Sequence, residues 1–411
     1  MKRRFTNIGT IYGLDHQLKK DAQSMAHVET MHHAYMEVSD GNIIGLGSMD
    51  NLPSDQIEQV DLGGRSIAPL FVDCHTHIVF AEPRVREFED RLKGLSYQEI
   101  AERGGGILNS ARKLAEQSEE ELFAHAMDRI HEVILTGTGA IEIKSGYGLS
   151  PEAEWKMLRV IRRLKDEAPI PVKATFLGAH AIPERFAGNA DAYLDEIEQV
   201  MLPVIQQDQL ADYIDIFCEQ GYFNLGHTER ILKAGKRHGL KGRIHVNQFN
   251  SIGGIQTAAE NDALSVEHLE VLSDEDLNTL RNSNLFAVAL PGCSFFLKIP
   301  YTPARQLIEA AVPLVLASDY NPGSAPTGNL LFAFSLANVY MGLLPTEAFN
   351  ALTINAAYCL EVEDQVGSIT PDKRANFMVL KPGCELASLG YNVARPVIDE
   401  IYLNGSRYSR T

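Results

Sequence analysis

From Leu70 to Asp319 the sequence repeats one pattern eight times: a short, largely apolar run, then a longer stretch with helical spacing or a long connection. The runs are L-F-V-D-C-H, G-A-I-E-I-K, V-K-A-T-F-L, Y-I-D-I-F-C, R-I-H-V-N, A-L-S-V-E-H, F-A-V-A-L and V-P-L-V-L-A-S-D. Near-continuous apolar strands, rather than alternating ones, are the mark of a sheet covered on both faces. Between them lie helices such as S-E-E-E-L-F-A-H-A-M-D-R-I-H-E-V-I-L, where Ser118 and Glu121 stand at capping-box spacing. The pattern predicts an α/β fold, a parallel (β/α)8 TIM-like barrel, with a doubly wound open sheet as the alternative. The G-G-G-I stretch from Gly104 to Ile107 follows L-S-Y-Q-E-I-A-E-R rather than a strand, so it is no dinucleotide fingerprint.

Both ends of the chain read differently. R-R-F-T-N-I-G-T-I-Y and A-Y-M-E-V-S-D-G-N-I-I-G-L-G near the start are short strands, the second with a tight D-G-N hairpin. V-G-S-I-T, N-F-M-V-L and P-V-I-D-E-I-Y-L-N-G-S-R-Y near the end are short strands with Asp-Lys and Asn-Gly turns. Each terminal segment is too small to bury a core alone. Residues 1–67 and 367–411 are therefore expected to pair into an accessory β-sandwich around a barrel of residues 68–366.

The chain has 411 residues, 45% hydrophobic and 22% charged, which is globular rather than disordered composition. A net charge of -17 argues against a protein that tracks nucleic-acid phosphates and favours small-molecule chemistry. The start, M-K-R-R-F-T-N-I-G-T-I-Y, lacks an apolar targeting core and no later run reaches membrane-span length, so a cytoplasmic protein is expected. Its five cysteines are scattered without C-x-x-C spacing, which suits reduced thiols. Any metal here must use histidine and carboxylate.

Barrel enzymes place their chemistry where strands end. Here His75 and His77 end the first run, Lys144 the second, His268 the sixth and Asp319 the eighth. His180 and Glu219 follow the third and fourth, and His245 sits inside the fifth. Strand residues two apart face the same side, so His75 and His77 can reach one ion. An isolated H-x-H reads more readily as surface or barrel-mouth histidines; what favours a metal is that five of the 13 histidines lie at or just beyond strand ends, with an aspartate after a purely apolar strand. His245 is telling, because an unpaired imidazole inside a buried strand is costly. Asp319 leaves an apolar strand into a turn, where the competing reading is a helix cap or Asx turn. His180 reads as a loop histidine or a substrate contact, Lys144 as a rim lysine serving a loop, and Glu219 as ambiguous. Three histidines and one aspartate suit Zn2+ or iron with an open position for water, and hydrolysis of a polar C–N bond is the natural use.

With these residues assembled, the sequence resembles the amidohydrolase superfamily, and within it the imidazolonepropionase family. The resemblance rests on F-V-D-C-H-T-H-I-V-F-A-E-P-R, S-Y-Q-E-I-A-E-R-G-G-G-I, I-K-S-G-Y-G-L, F-L-G-A-H-A-I-P, S-V-E-H-L and A-S-D-Y-N-P-G-S. It implies hydrolysis of 4-imidazolone-5-propanoate to N-formimidoyl-L-glutamate, the third step of histidine degradation. It further implies one Zn2+ or Fe3+ held by His75, His77, His245 and Asp319. Arg84, Tyr147 and His180 match substrate-binding positions, and Asn321, Gly323 and Ser324 would line the pocket. Gln248 stands where the family carries Glu or Gln; it can hydrogen-bond the ring but cannot act as a base. Proton traffic then falls to Asp319, which takes the proton of the attacking water, and to His268, which polarises or relays. A single ion is expected because Y-I-D-I-F-C-E-Q-G offers no bridging lysine on strand four. The resemblance implies an anionic imidazolone as the small-molecule partner and a homodimer by analogy; charge and hydropathy already speak against nucleic acid or membrane as partners. The alternatives are a superfamily deaminase or cyclic-amide hydrolase acting on a nucleobase, and a non-catalytic scaffold, against which the intact His and Asp set counts.

Overall fold

The computed structural model describes residues 2–15, 19–95, 99–100 and 103–410. Of the S-Y-Q-E-I-A-E-R motif, residues 96–98 and 101–102 lie outside the described residues.

The first strands are β1 (Lys2–Tyr12), β2 (Thr30–Ser39), β3 (Asn42–Ser48), β4 (Glu58–Asp61) and β5 (Ile67–Pro69). The eight barrel strands follow: β6 (Phe71–Asp73), β7 (Thr138–Lys144), β8 (Val172–Ala179), β9 (Tyr213–Cys218), β10 (Lys241–Val246), β11 (Ser265–His268), β12 (Phe286–Ala289) and β13 (Leu314–Leu316). Near the end come β14 (Phe377–Leu380), β15 (Ile398–Leu403) and β16 (Ser406–Arg407).

The terminal strands form one mixed sheet in the order β16-β15-β14-β5-β1-β2-β3, with β4 beside β1. Asp40 and Gly41 turn the β2–β3 hairpin with φ of 50° and 86°, the left-handed pair that a two-residue hairpin requires. Its core includes Phe5, Phe377 and Tyr402, with Phe377 stacked on Tyr402 at 4.8 Å between ring centroids. V-G-S-I-T, read from sequence as a strand, is not one. Gly367 has φ 91°, and a Cβ there would lie 2.5 Å from Ala357 Cβ, so the chain turns tightly against the helix Ile354–Cys359.

The barrel strands run parallel in the sequential order β6 to β13. The open-sheet alternative fails because the two edges meet just past their strand ends. Thr76 bridges Tyr320, the Asp319 N–H donates to the His75 carbonyl at 3.0 Å, and the His77 N–H donates to the Tyr320 carbonyl at 2.9 Å. Closure therefore runs through the residues that the sequence marks for chemistry. Helices cover the outside, and the helix Glu119–Leu135 starts at the expected capping box, with the Ser118 N–H donating to Glu121 Oε2 at 2.9 Å. Among the described residues no helix is long and apolar enough to cross a membrane.

Candidate active site

At the C-terminal mouth of the barrel the imidazoles converge. His75 Nε2 and His77 Nε2 are 3.3 Å apart, and His77 Nε2 and His245 Nε2 are 3.4 Å apart. Asp319 Oδ1 lies 3.4 Å from His75 Nε2 and 3.6 Å from His77 Nε2. All four residues are buried. Ligands about 2.0–2.1 Å from a tetrahedral ion would stand about 3.4 Å from one another, so the spacing of His75, His77 and Asp319 fits a shared metal ion, with His245 Nε2 beside His77. The Asx-turn reading of Asp319 is answered by its neighbour: Asn321 Oδ1 accepts from the Gly323 and Ser324 N–H groups at 2.8 and 2.7 Å, leaving the Asp319 carboxylate to the histidines.

Beneath the histidines lies a layer of charge that the strand-end reading did not anticipate. Glu267 contacts His75 Nδ1, and Asp215 Oδ2 lies 2.9 Å from His245 Nδ1. Such carboxylates fix which ring nitrogen carries the proton and leave Nε2 as the donor. Lys144, read from sequence as a rim lysine, is instead fully buried at their centre. Its Nζ lies 2.9 Å from Glu142, 3.0 Å from Asp215 and 3.0 Å from Glu267. Arg243, also buried, donates to Glu267 Oε1 at 2.7 Å. The missed signal was a charge inside each of four apolar strands, since a charge buried there must be paired. Glu219 belongs to neither group: it accepts from the Phe249 N–H at 2.9 Å and Asn250 Nδ2 at 3.0 Å, anchoring the loop that carries Gln248.

The electrostatics divide the histidines. Burial and the Lys144 charge push His75 down, but Glu267 and Asp319 outweigh them and hold it at about 9. Burial, with the neighbouring His75, drives His77 well below the ordinary range. Burial takes His180 to about 3 and, despite Asp215, His245 to about 4. Burial pushes the Asp319 carboxyl up, but the hydrogen bond to His75 and the charges of His75, His268 and His245 together outweigh it and lower it.

Over this site the pocket is lined by Arg84, Tyr147, His180, Gln248, Asn321 and Ser324, with Ile107, Phe217, Phe249 and Leu297 as an apolar wall unseen in the sequence. His180 donates Nδ1–H to the Gly146 carbonyl at 3.1 Å and stacks on His77, with ring centroids 5.4 Å apart. Gln248 lies with Nε2 3.4 Å from Cys293 Sγ. Gly323 is outside the pocket lining; it makes room for Arg84, because a Cβ there would stand 2.5 Å from Arg84 Nη1. Arg84 Nε donates to Ser110 Oγ at 2.8 Å and its guanidinium lies 5.6 Å from the centre of the Tyr147 ring. Its Nη2 is buried without a hydrogen-bond partner among the described residues. His268, the last residue of β11, lines the same pocket with φ 89°. That left-handed twist matters, because Glu267 already faces the barrel interior and strict alternation would turn its neighbour away. A wider groove at the N-terminal ends of β8 to β10 carries several cations, of which Lys165 is paired with Asp212 at 3.0 Å and Lys241 with Glu361.

The sequence model of the amidohydrolase family matches residues 66–406. The imidazolonepropionase of Christiangramia forsetii is 49% identical over 403 residues, covering 97% of this chain and 98% of that protein. The imidazolonepropionase of Flavobacterium johnsoniae is 49% identical over 388 residues, 94% of each chain. Among solved structures, an adenosine deaminase of Xanthomonas campestris with bound zinc superposes with a TM-score of 0.72 at 15% identity, covering 99% of this chain and 92% of that one. That likeness speaks to the fold; the full-length sequence matches say more, and by them the chain belongs to the amidohydrolase family and, within it, to the imidazolonepropionases.

Proposed function

We propose that this chain hydrolyses 4-imidazolone-5-propanoate to N-formimidoyl-L-glutamate, opening the ring at the C–N bond of its cyclic amide. The observation that carries this reading is Arg84, whose buried Nη2 has no hydrogen-bond partner among the described residues and which lines the pocket. An unpaired guanidinium arm at the edge of this pocket calls for an anionic group, and the propanoate carboxylate supplies it.

His75, His77, His245 and Asp319 would hold one Zn2+ or Fe3+, both of which accept this donor set. Such an ion supplies Lewis-acid activation of water near neutral pH. Around it the chain's own residues divide the work. Arg84 binds the carboxylate and Tyr147 flanks the guanidinium. His180, with its Nδ1–H held by Gly146, offers Nε2 as an acceptor to the ring. The Gln248 amide hydrogen-bonds the ring and stays outside proton transfer. Asp319 takes the proton of the attacking water and delivers it to the leaving ring nitrogen, with His268 as polarising group or relay.

The test is direct: metal-loaded protein is mixed with freshly generated 4-imidazolone-5-propanoate and the ultraviolet absorbance of the ring is followed. Loss of absorbance supports the reading. No loss, together with turnover of a nucleobase, contradicts it.

A further inference from the structure

His268 is held in an unusual way. Its backbone carries φ 89°, a region that side chains other than glycine rarely adopt. Its carbonyl accepts from Thr302 Oγ1 at 2.7 Å, which locks that twist. Its Nδ1 lies 3.3 Å from Glu270 Oε1, an oxygen that also accepts from Ser294 Oγ at 3.2 Å. The Glu270 side chain is wholly buried, and its other oxygen has no hydrogen-bond partner among the described residues. A carboxylate with so few partners in a closed interior is costly to keep. Its contact with a strained, pocket-lining imidazole gives it a use.

We propose that Glu270 is the positioning residue of His268, and that it makes His268 the proton relay of the reaction rather than a polarising donor. A carboxylate oxygen accepts from Nδ1–H and so fixes that tautomer, leaving Nε2 with a lone pair towards the pocket. In the resting state Nε2 therefore has no proton to give to the ring carbonyl. The proton count closes as follows: water loses a proton to Asp319, Asp319 passes it to His268 Nε2, the imidazolium gives it to the ring nitrogen as the C–N bond breaks, and the new carboxylic acid releases the second water proton to solvent. Glu270 takes no proton from the relay and orients the imidazole, as a carboxylate does beside other catalytic histidines. This assigns a carboxylate to the work that Gln248 cannot do. It rests on the proposed hydrolysis for its kinetics, though not for the geometry of the pair.

The experiment is a double-mutant cycle on the metal-loaded enzyme with H268A, E270Q and the double variant, with metal content and Tm recorded for each. H268A is expected to lower kcat by about 10²–10⁴-fold. E270Q, close in shape to the native residue, is expected to lower kcat at least about tenfold, with KM within about twofold because Arg84 holds the substrate. In the H268A background E270Q should cost almost nothing further. E270D should recover part of the loss. Equal losses from E270Q in both backgrounds, or kcat unchanged by it, overturn the proposal. A second measurement is independent of turnover: nitrogen chemical shifts of 15N-histidine-labelled protein, with H268A giving the assignment. The proposal requires His268 to carry its proton on Nδ1, and an Nε2–H form overturns it. If wild-type protein consumes no imidazolone, the hydrolysis fails as a reading while the nitrogen shifts still decide the pairing.

Discussion

Lys144 stands 3.0 Å from Glu267, the carboxylate that lies against His75 Nδ1, with both side chains completely buried. A buried cation shared among Glu142, Asp215 and Glu267 keeps their charges from repelling one another, and it thereby holds two histidines in the orientation that a metal needs. Lys144→Met leaves three carboxylates crowded without their common partner. Breaking a buried ion pair costs about 3–5 kcal/mol, so the Tm of the metal-free protein should fall clearly. Metal affinity, read by competition with a chelator, should fall about 10- to 100-fold. Wild-type affinity in a folded variant would show that Lys144 serves the barrel interior alone.

Arg84→Met removes the proposed carboxylate contact while leaving the histidines untouched. A hydrogen bond to a charged group contributes about 1.5–3 kcal/mol, so KM should rise by at least about tenfold with metal content unchanged. Gly323→Ala should act in the same direction without removing any functional group, since the new Cβ would displace Arg84 Nη1. Steady-state kinetics of the two variants check both expectations.

The histidines also set an expectation for pH in protein freed of metal by chelation. In the fold His180 and His245 lie at about 3 and about 4, below the ordinary imidazole value of about 6.5. The unfolded chain takes up protons first, so their contribution to stability is present above about pH 6.5 and is lost as the pH falls towards 4. His75 is raised to about 9 and works in the opposite sense, contributing below about pH 6.5 and losing that contribution as the pH rises through 9. Thermal melts from pH 4 to 10 should therefore peak near neutrality. A profile that is flat between pH 4 and 7 would contradict the depressed values.

Much of this was legible in the sequence, and particular residues show why. His75 and His77 declare themselves by a spacing that fits one side of a strand, and His245 by standing where an unpaired imidazole is costly. Lys144 and its carboxylates were harder. Glu142, Asp215 and Glu267 lie on three different strands, and only the cross-strand register, such as His245 opposite Glu267 between β10 and β11, brings them to one point. His268 needed a backbone twist that alternation along a strand does not foresee. The apolar wall of Ile107, Phe217, Phe249 and Leu297 comes from four separate segments that only the fold brings together. V-G-S-I-T reads as a strand until the left-handed Gly367 is known.

In the proposed hydrolysis water attacks the ring carbonyl over the His75, His77, His245 and Asp319 site and opens the adjacent C–N bond. Turnover of 4-imidazolone-5-propanoate by the metal-loaded enzyme in 18O-water, with mass analysis of the product, tests it most directly. One 18O atom is expected in the newly formed α-carboxylate of N-formimidoyl-L-glutamate. An unlabelled α-carboxylate, or label in a formyl group from attack at the carbon between the two ring nitrogens, would contradict it.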